Sequence, residues 1–207
     1  MRNLMIFLLL LISDSLFSQT ITDSRDNKEY RTVQIGNQIW MAENLNFATR
    51  EGSWCYNDDP KNCVIYGRLY DWKTAMDGQQ SVNASPSGIK GICPDGWHLP
   101  SAEEWNILRD YLGGKEIAGG KMKEKATEHW SPSNVGADNS SGFTALPAGI
   151  KDNINNNYSG IGKKAYFWTT TEFNSENAWD RSIYFNKDLR KDFSRKINGL
   201  SVRCLKD

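Results

Sequence analysis

Cysteine and histidine set the bounds on what this chain could catalyse or coordinate. Its 207 residues hold Cys55, Cys63, Cys93 and Cys204, and two histidines, His98 and His129. A free thiolate is a nucleophile or a metal ligand. Four cysteines in an exported chain read first as two disulfides, with three pairings open on counting alone. Cys55 and Cys63 flank a polar stretch, and joining them would leave Cys93 and Cys204 to close a loop of 111 residues. In the chain-entropy view the long closure contributes about 4–5 kcal/mol and the short one about 2–3 kcal/mol. Zinc is the rival use, but these spacings lack the paired short intervals of structural zinc motifs, and the histidines are far apart. His98, boxed between Trp97 and Leu99, reads as a packing or turn residue, while His129 lies in a charged loop beside Trp130. No Ser, His and acid grouping has supporting local context. The expectation is a chain that is not an enzyme, with no metal site and no cofactor.

Export is read from the first residues. Arg2 precedes an apolar run over residues 4–12, and residues 13–18 turn polar with small side chains, the order of a signal peptide. Nine apolar residues are too few to span a bilayer. Residues 1–18 are therefore expected to be a signal peptide and 19–207 a single domain, secreted, periplasmic or surface-associated, with no transmembrane segment in the mature chain. Charge is balanced, with 25 basic and 25 acidic residues, so nothing favours nucleic acid or an anionic membrane surface as partner. Eight each of Trp, Tyr and Phe among 17 Gly point to short strands and structured loops held by aromatic packing.

The elements that must position any site are clearest around Cys93 to Trp105. Asp95-Gly96 makes a turn, Pro100 stays outside the helix, and Ser101 with Glu104 three residues later forms a capping box. The helix then runs over 102–112 with Trp105, Leu108 and Leu112 on one stripe, and Gly113-Gly114 ends it. Cys93 thus reads as a staple, and Trp97 and Trp105 as core. Residues 21–31 look like an extended arm and 32–41 like a hairpin turning at Gly36-Asn37. A short helix is expected within 66–76, with Leu69, Trp72 and Met76 inward. Residues 77–92 read as loop. The 115–128 stretch, broken by Gly119-Gly120, should hold at most an exposed turn of helix. Residues 143–146 suggest a brief strand, 151–162 a polar loop excursion, and 165–171, 178–185 and 200–205 the heart of a sheet. Between the last two, 186–198 is locally cationic by three charges.

The order of several segments resembles one family. They are Ile39-Trp40-Met41-Ala42-Glu43-Asn44-Leu45, Tyr66-Gly67-Arg68-Leu69-Tyr70-Asp71-Trp72, the Cys93 to Trp105 block, Gly142-Phe143-Thr144-Ala145-Leu146-Pro147-Ala148-Gly149, Phe167-Trp168-Thr169-Thr170-Thr171-Glu172, Asn177-Ala178-Trp179 and the closing Ser201-Val202-Arg203-Cys204-Leu205-Lys206-Asp207. Together they resemble the Fibrobacter succinogenes major paralogous domain. The resemblance implies an α+β, C-type-lectin-like fold: loop-rich, disulfide-stapled, with two main helices around small twisted antiparallel sheets. It also implies neighbouring termini, a disulfide of the Cys93 to Cys204 kind, and an exported bacterial protein.

Ligands of C-type-lectin-like folds often meet the C-terminal loops and strand face. By location, this implies Asn174, Asn177, Trp179, Arg181, Tyr184 and Arg190 as candidate ligand-binding residues, although the alternation of its strand places Trp179 in the core more readily than on the surface, and Arg181 is as well placed to pair with an acid. Calcium has no supporting motif: the Glu-Pro-Asn or Gln-Pro-Asp loop and Trp-Asn-Asp strand are missing from the sequence, leaving Asp58-Asp59 or Asp138-Asn139 as isolated pairs that commonly cap turns. The expected function is a non-catalytic module binding an extracellular glycan or protein. A structural component of envelope or matrix, and an enzyme related to formylglycine-generating proteins, are the alternatives.

Overall fold

The computed structural model describes residues 19–207; the expected signal peptide lies outside the described residues. Strands β1 (Gln19–Thr22), β2 (Glu29–Ile35) and β3 (Gln38–Met41) form an antiparallel meander. The β2–β3 turn uses Gly36 at φ +61°, a left-handed position that suits glycine. The expected arm is thus part of a sheet. Its polar look comes from alternation at the start of β2, with Tyr30 and Thr32 buried and Glu29 and Arg31 wet.

Next come β4 (Ser53–Trp54), a 3-10 turn at Tyr56–Asp58, α1 (Pro60–Tyr66), β5 (Leu69–Tyr70) and α2 (Trp72–Met76). Where one short helix was expected over 66–76, the chain breaks twice. Gly67 at φ +73° ends α1 so close to Asn44 that an added Cβ would meet its Cβ at 2.7 Å. Asp71 then starts α2 by accepting from the Thr74 amide at 2.7 Å. Beyond β6 (Trp97–His98) lie α3 (Ala102–Tyr111) and α4 (Lys115–Met122). The capping box of α3 is present: the Glu104 amide donates to Ser101 Oγ at 3.2 Å and the Ser101 amide to Glu104 Oε2 at 2.9 Å.

The two-helix expectation is therefore corrected, since the described residues contain four α-helices. α4 was missed because Gly119-Gly120 reads as a breaker. Here those glycines are the contact itself. A Cβ on Gly119 would lie 2.3 Å from the Asp188 carbonyl, and one on Gly120 2.5 Å from that of Gly136. Close backbone approach supplies a packing reason for glycine within a helix, and it buries Ala118 and Met122.

The remaining strands are β7 (Ala148–Asp152), β8 (Asn157–Ile161), β9 (Ala165–Glu172), β10 (Asn177–Ile183), β11 (Leu189–Arg195), β12 (Leu200–Ser201) and β13 (Leu205–Lys206). The polar stretch expected as a loop is the β7–β8 hairpin, turned by Asp152, whose carboxylate accepts from the Ile154 amide at 2.9 Å. The cationic link is β11, paired with β10 from Ile183↔Leu189 to Asn177↔Arg195. It escaped notice because an edge strand keeps its charged side chains in water. The brief strand at 143–146 reduces to one bridge between Lys123 and Ala145.

Two larger sheets result, ordered β1-β2-β3-β13-β6 and β11-β10-β9-β12-β5-β4. Trp40, Trp105, Phe143 and Phe167 form one core, with Trp40 and Trp105 ring centres 4.8 Å apart. Trp97, Trp168, Tyr70, Met41 and Val202 form a second around Cys93–Cys204. At the seam, buried Arg203 donates to Asn44 Oδ1 and to the carbonyls of Met41, Phe143 and Thr144. Burial pulls its pKa down to about 9, with the Glu43 charge opposing that pull and the Arg31 charge adding to it.

Candidate functional site

The C-terminal sheet presents a cluster of aromatic rings to solvent. Register places Trp179 of β10 opposite Phe193 of β11, and the turn after β9 brings in Phe173. Phe173 and Phe193 stack with centres 4.5 Å apart and an interplanar angle of 16°, while Trp179 meets Phe173 edge-on at 4.8 Å. Phe173 is 43 % exposed and Phe193 52 %, with Trp179 half-buried beside the pair. The Lys191 ammonium sits 4.0 Å from the Trp179 ring centre, within cation–π range. Burial, together with the nearby positive charges of Arg181 and Arg109, holds its pKa below the ordinary lysine value.

Asn174 and Asn177 fix this corner. Asn174 Oδ1 accepts from the Glu176 and Asn177 amides and from Asn177 Nδ2, while the Asn177 carbonyl accepts from the amides of Phe173 and Asn174. Beside the rings runs an open cleft of about 490 Å³ lined by Asp152, Asn155, Asn177, Phe193, Arg195 and Asn198, among others. Of the six candidate ligand-binding residues, Asn174, Asn177 and Trp179 come together here.

The other three do not join them. Arg181 is 1 % exposed and donates to the Ala102 carbonyl at 2.7 Å and Asn106 Oδ1 at 3.0 Å. It ties β10 to the start of α3 and cannot meet a ligand, because α3 lies across that part of the sheet. Tyr184 and Arg190 belong to the opposite face by strand alternation. There the Tyr184 hydroxyl is 3.4 Å from Asp192 Oδ2, and the Arg190 guanidinium lies 5.2 Å from the Tyr184 ring. Beneath them Asp180 is buried, with Ser194 donating to it at 2.7 Å. Burial pushes the Asp180 carboxyl up to about 7, with the Ser194 bond opposing and the Asp192 charge adding to the rise. Sequence reading missed Phe173, Phe193 and Lys191. The signal was the alternation inside the cationic stretch, which puts Lys191 and Phe193 on one side of a strand.

His98 is more than packing. It is 3 % exposed, with Nε2 2.8 Å from Glu104 Oε1 and Nδ1 2.7 Å from Asp207 Oδ1. Burial lowers the imidazole pKa, but the hydrogen bonds and charges of Glu104 and then Asp207 outweigh it, leaving it above the ordinary value. A raised folded pKa gives stability that is complete below the unfolded value near 6.5 and lost as pH rises through the folded one. Thermal unfolding followed from about pH 5 to 9 should therefore show stability falling above about 6.5. In Asp207→Asn, where the folded pKa comes down, the fall should be smaller and finish at a lower pH, its onset still set by the unfolded value; an unchanged profile would refute this role for the pair.

All four cysteines are joined, Cys55 to Cys63 and Cys93 to Cys204. The pairs weighed for calcium are engaged in local bonds: Asp58 accepts from the Tyr158 hydroxyl, Asp59 caps α1, Asp138 accepts from the Ser140 amide and Asn139 binds Thr144. No helix among the described residues is long and apolar enough to cross a membrane. The sequence model of the family described as Fibrobacter succinogenes major domain matches residues 33–206. The chain belongs to that family. Neither a curated protein nor a solved structure matches it. In this Fibrobacter succinogenes major domain, the matched span carries both disulfides, the aromatic cluster and the Arg203 seam.

Proposed function

We propose that this domain is an exported, non-catalytic binding module that takes a glycan on the Phe173, Trp179 and Phe193 platform. One observation carries the reading: three aromatic rings gather at the surface, with Lys191 over one of them and an amide-lined and arginine-lined cleft alongside. Flat rings match the apolar face of a pyranose. Amides and guanidinium groups at the rim select hydroxyl orientation. Export is supported by the order of basic, apolar and small residues in the first 18 positions and by the two disulfides, which suit an oxidising compartment. A non-catalytic role is supported by the cysteines, whose thiols are engaged in disulfides. Kinship with C-type-lectin-like proteins belongs to the same proposal. Its supports are the sheet that joins β1, β2 and β3 to β13, and the Cys93–Cys204 closure.

The test is a glycan array followed by titration of any hit against Trp179→Ala and Phe193→Ala. Binding should fall at least about tenfold in each, the order expected on losing a stacking contact worth about 1.4 kcal/mol. Circular dichroism and melting should show both variants folded. An empty array across broad glycan classes, or a hit that survives both substitutions, would overturn the assignment.

A further inference from the structure

Apart from the aromatic cluster, Glu124, Glu128 and His129 bring one ligand atom each to within 4.8 Å of the others. Glu124 follows buried Lys123, whose ammonium donates to the carbonyls of Val135, Phe185 and Asn186. His129 precedes buried Trp130, whose indole donates to the Ala145 carbonyl at 2.9 Å. Both ligand-bearing positions are therefore anchored by a neighbour in the core. The Tyr66 ring meets the His129 imidazole edge-on at 5.7 Å, and His129 Nδ1 lies 2.8 and 3.0 Å from the two Glu124 carboxylate oxygens.

Glu124 and His129 also line a separate cleft of about 310 Å³. The cations of that cleft already have carboxylate partners, Arg31 with Glu43 in the same cleft at 3.1 Å and Lys28 with Asp26 at 3.0 Å. One carboxylate and the imidazole thus stand on its wall, with the exposed Glu128 carboxylate close to both.

We infer that Glu124, Glu128 and His129 form a zinc site of the open kind, with three protein ligands and the fourth position facing the cleft. One nitrogen and two carboxylate oxygens suit a borderline cation, whereas calcium and magnesium prefer oxygen donors alone. Tetrahedral zinc at about 2.1 Å from each donor requires donor atoms on the order of 3.4 Å apart. Exposed Glu128 can close the remaining gap by rotating its side chain. The fourth position would then be open to water or to an anionic group entering the cleft.

The test is calorimetric titration of the chelator-treated protein with zinc chloride, repeated with calcium chloride. One zinc ion per chain is expected, with affinity at least tenfold weaker in Glu128→Gln and in His129→Ala. Glu43→Gln, in the same cleft but outside the triad, should bind as the unaltered chain does. Glu128 is exposed, so its substitution leaves the fold intact, and a melting curve checks this. Absence of zinc binding, preference for calcium, or affinity unchanged in Glu128→Gln would each overturn the assignment.

Discussion

Arg203→Ala is expected to lower the free energy of unfolding by about 3–5 kcal/mol, through the lost packing of a fully buried side chain and the stranding of its acceptors. The guanidinium is 0 % exposed and supplies bonds to one amide oxygen and three backbone carbonyls on two separate segments, 41–44 and 143–144. Its charge lies 4.3 Å from the Phe143 ring centre and 5.6 Å from that of Phe167, which adds cation–π attraction. Lysine could not restore this. An ammonium on a flexible stem offers donors from a single point and cannot fan across acceptors as a planar fork does, so Arg203→Lys should recover only part of the loss. Urea denaturation of both variants checks the claim, and a loss below about 1 kcal/mol in Arg203→Ala would refute it.

The second large effect is expected from Cys93→Ala with Cys204→Ala. Opening a closure of 111 residues should cost about 4–5 kcal/mol, against about 2–3 for opening the eight-residue Cys55–Cys63 closure in the same way. The two double variants, unfolded in urea side by side, give the comparison. Equal losses would mean that native-state contacts, and not the freedom of the unfolded chain, set the contribution. Cys93 and Cys204 lie in the core with Trp97 and Val202, so packing loss widens the expected gap. The short disulfide instead joins the residue before the 3-10 turn to α1.

What the sequence discloses follows the physics of each element. Ser101 and Glu104 announce α3 because a capping box is local and its residues cap a helix whatever lies around them. β9 and β10 are visible because buried strands need runs of apolar and β-branched residues. The strands at the rim are harder to see. β11 and the β7–β8 hairpin keep one side in water and borrow their order from neighbours, so their residues look like loops. α4 hides for another reason: Gly119 and Gly120 lower helix propensity, and only the approaching backbone of 187–188 and 136 explains them.

The candidate site divides in the same way. Asn174, Asn177 and Trp179 are legible as polar and aromatic residues near a strand end. Arg181 misleads, because an arginine on an alternating strand looks exposed until a helix is laid over it. Phe173 and Phe193 lie 20 positions apart in sequence and meet only through the β10–β11 register.

The sheet order β1-β2-β3-β13-β6 has a consequence for the timing of assembly. β3 and β6 each wait for Leu205, which pairs with Trp40 on one side and His98 on the other. The first sheet therefore cannot close on contacts within its own stretch of chain, and a ribosome-bound or translocating polypeptide would hold β1 to β3 as an unfinished meander until position 205 has emerged. Long-range closure of this kind slows folding and exposes unpaired strand edges in the interval. Cys93 meanwhile stays unpaired until Cys204 arrives, whereas Cys55 and Cys63, eight residues apart, can meet early. Oxidation should thus proceed in a fixed sequence, the local bond first and the closing bond only as the last strands dock.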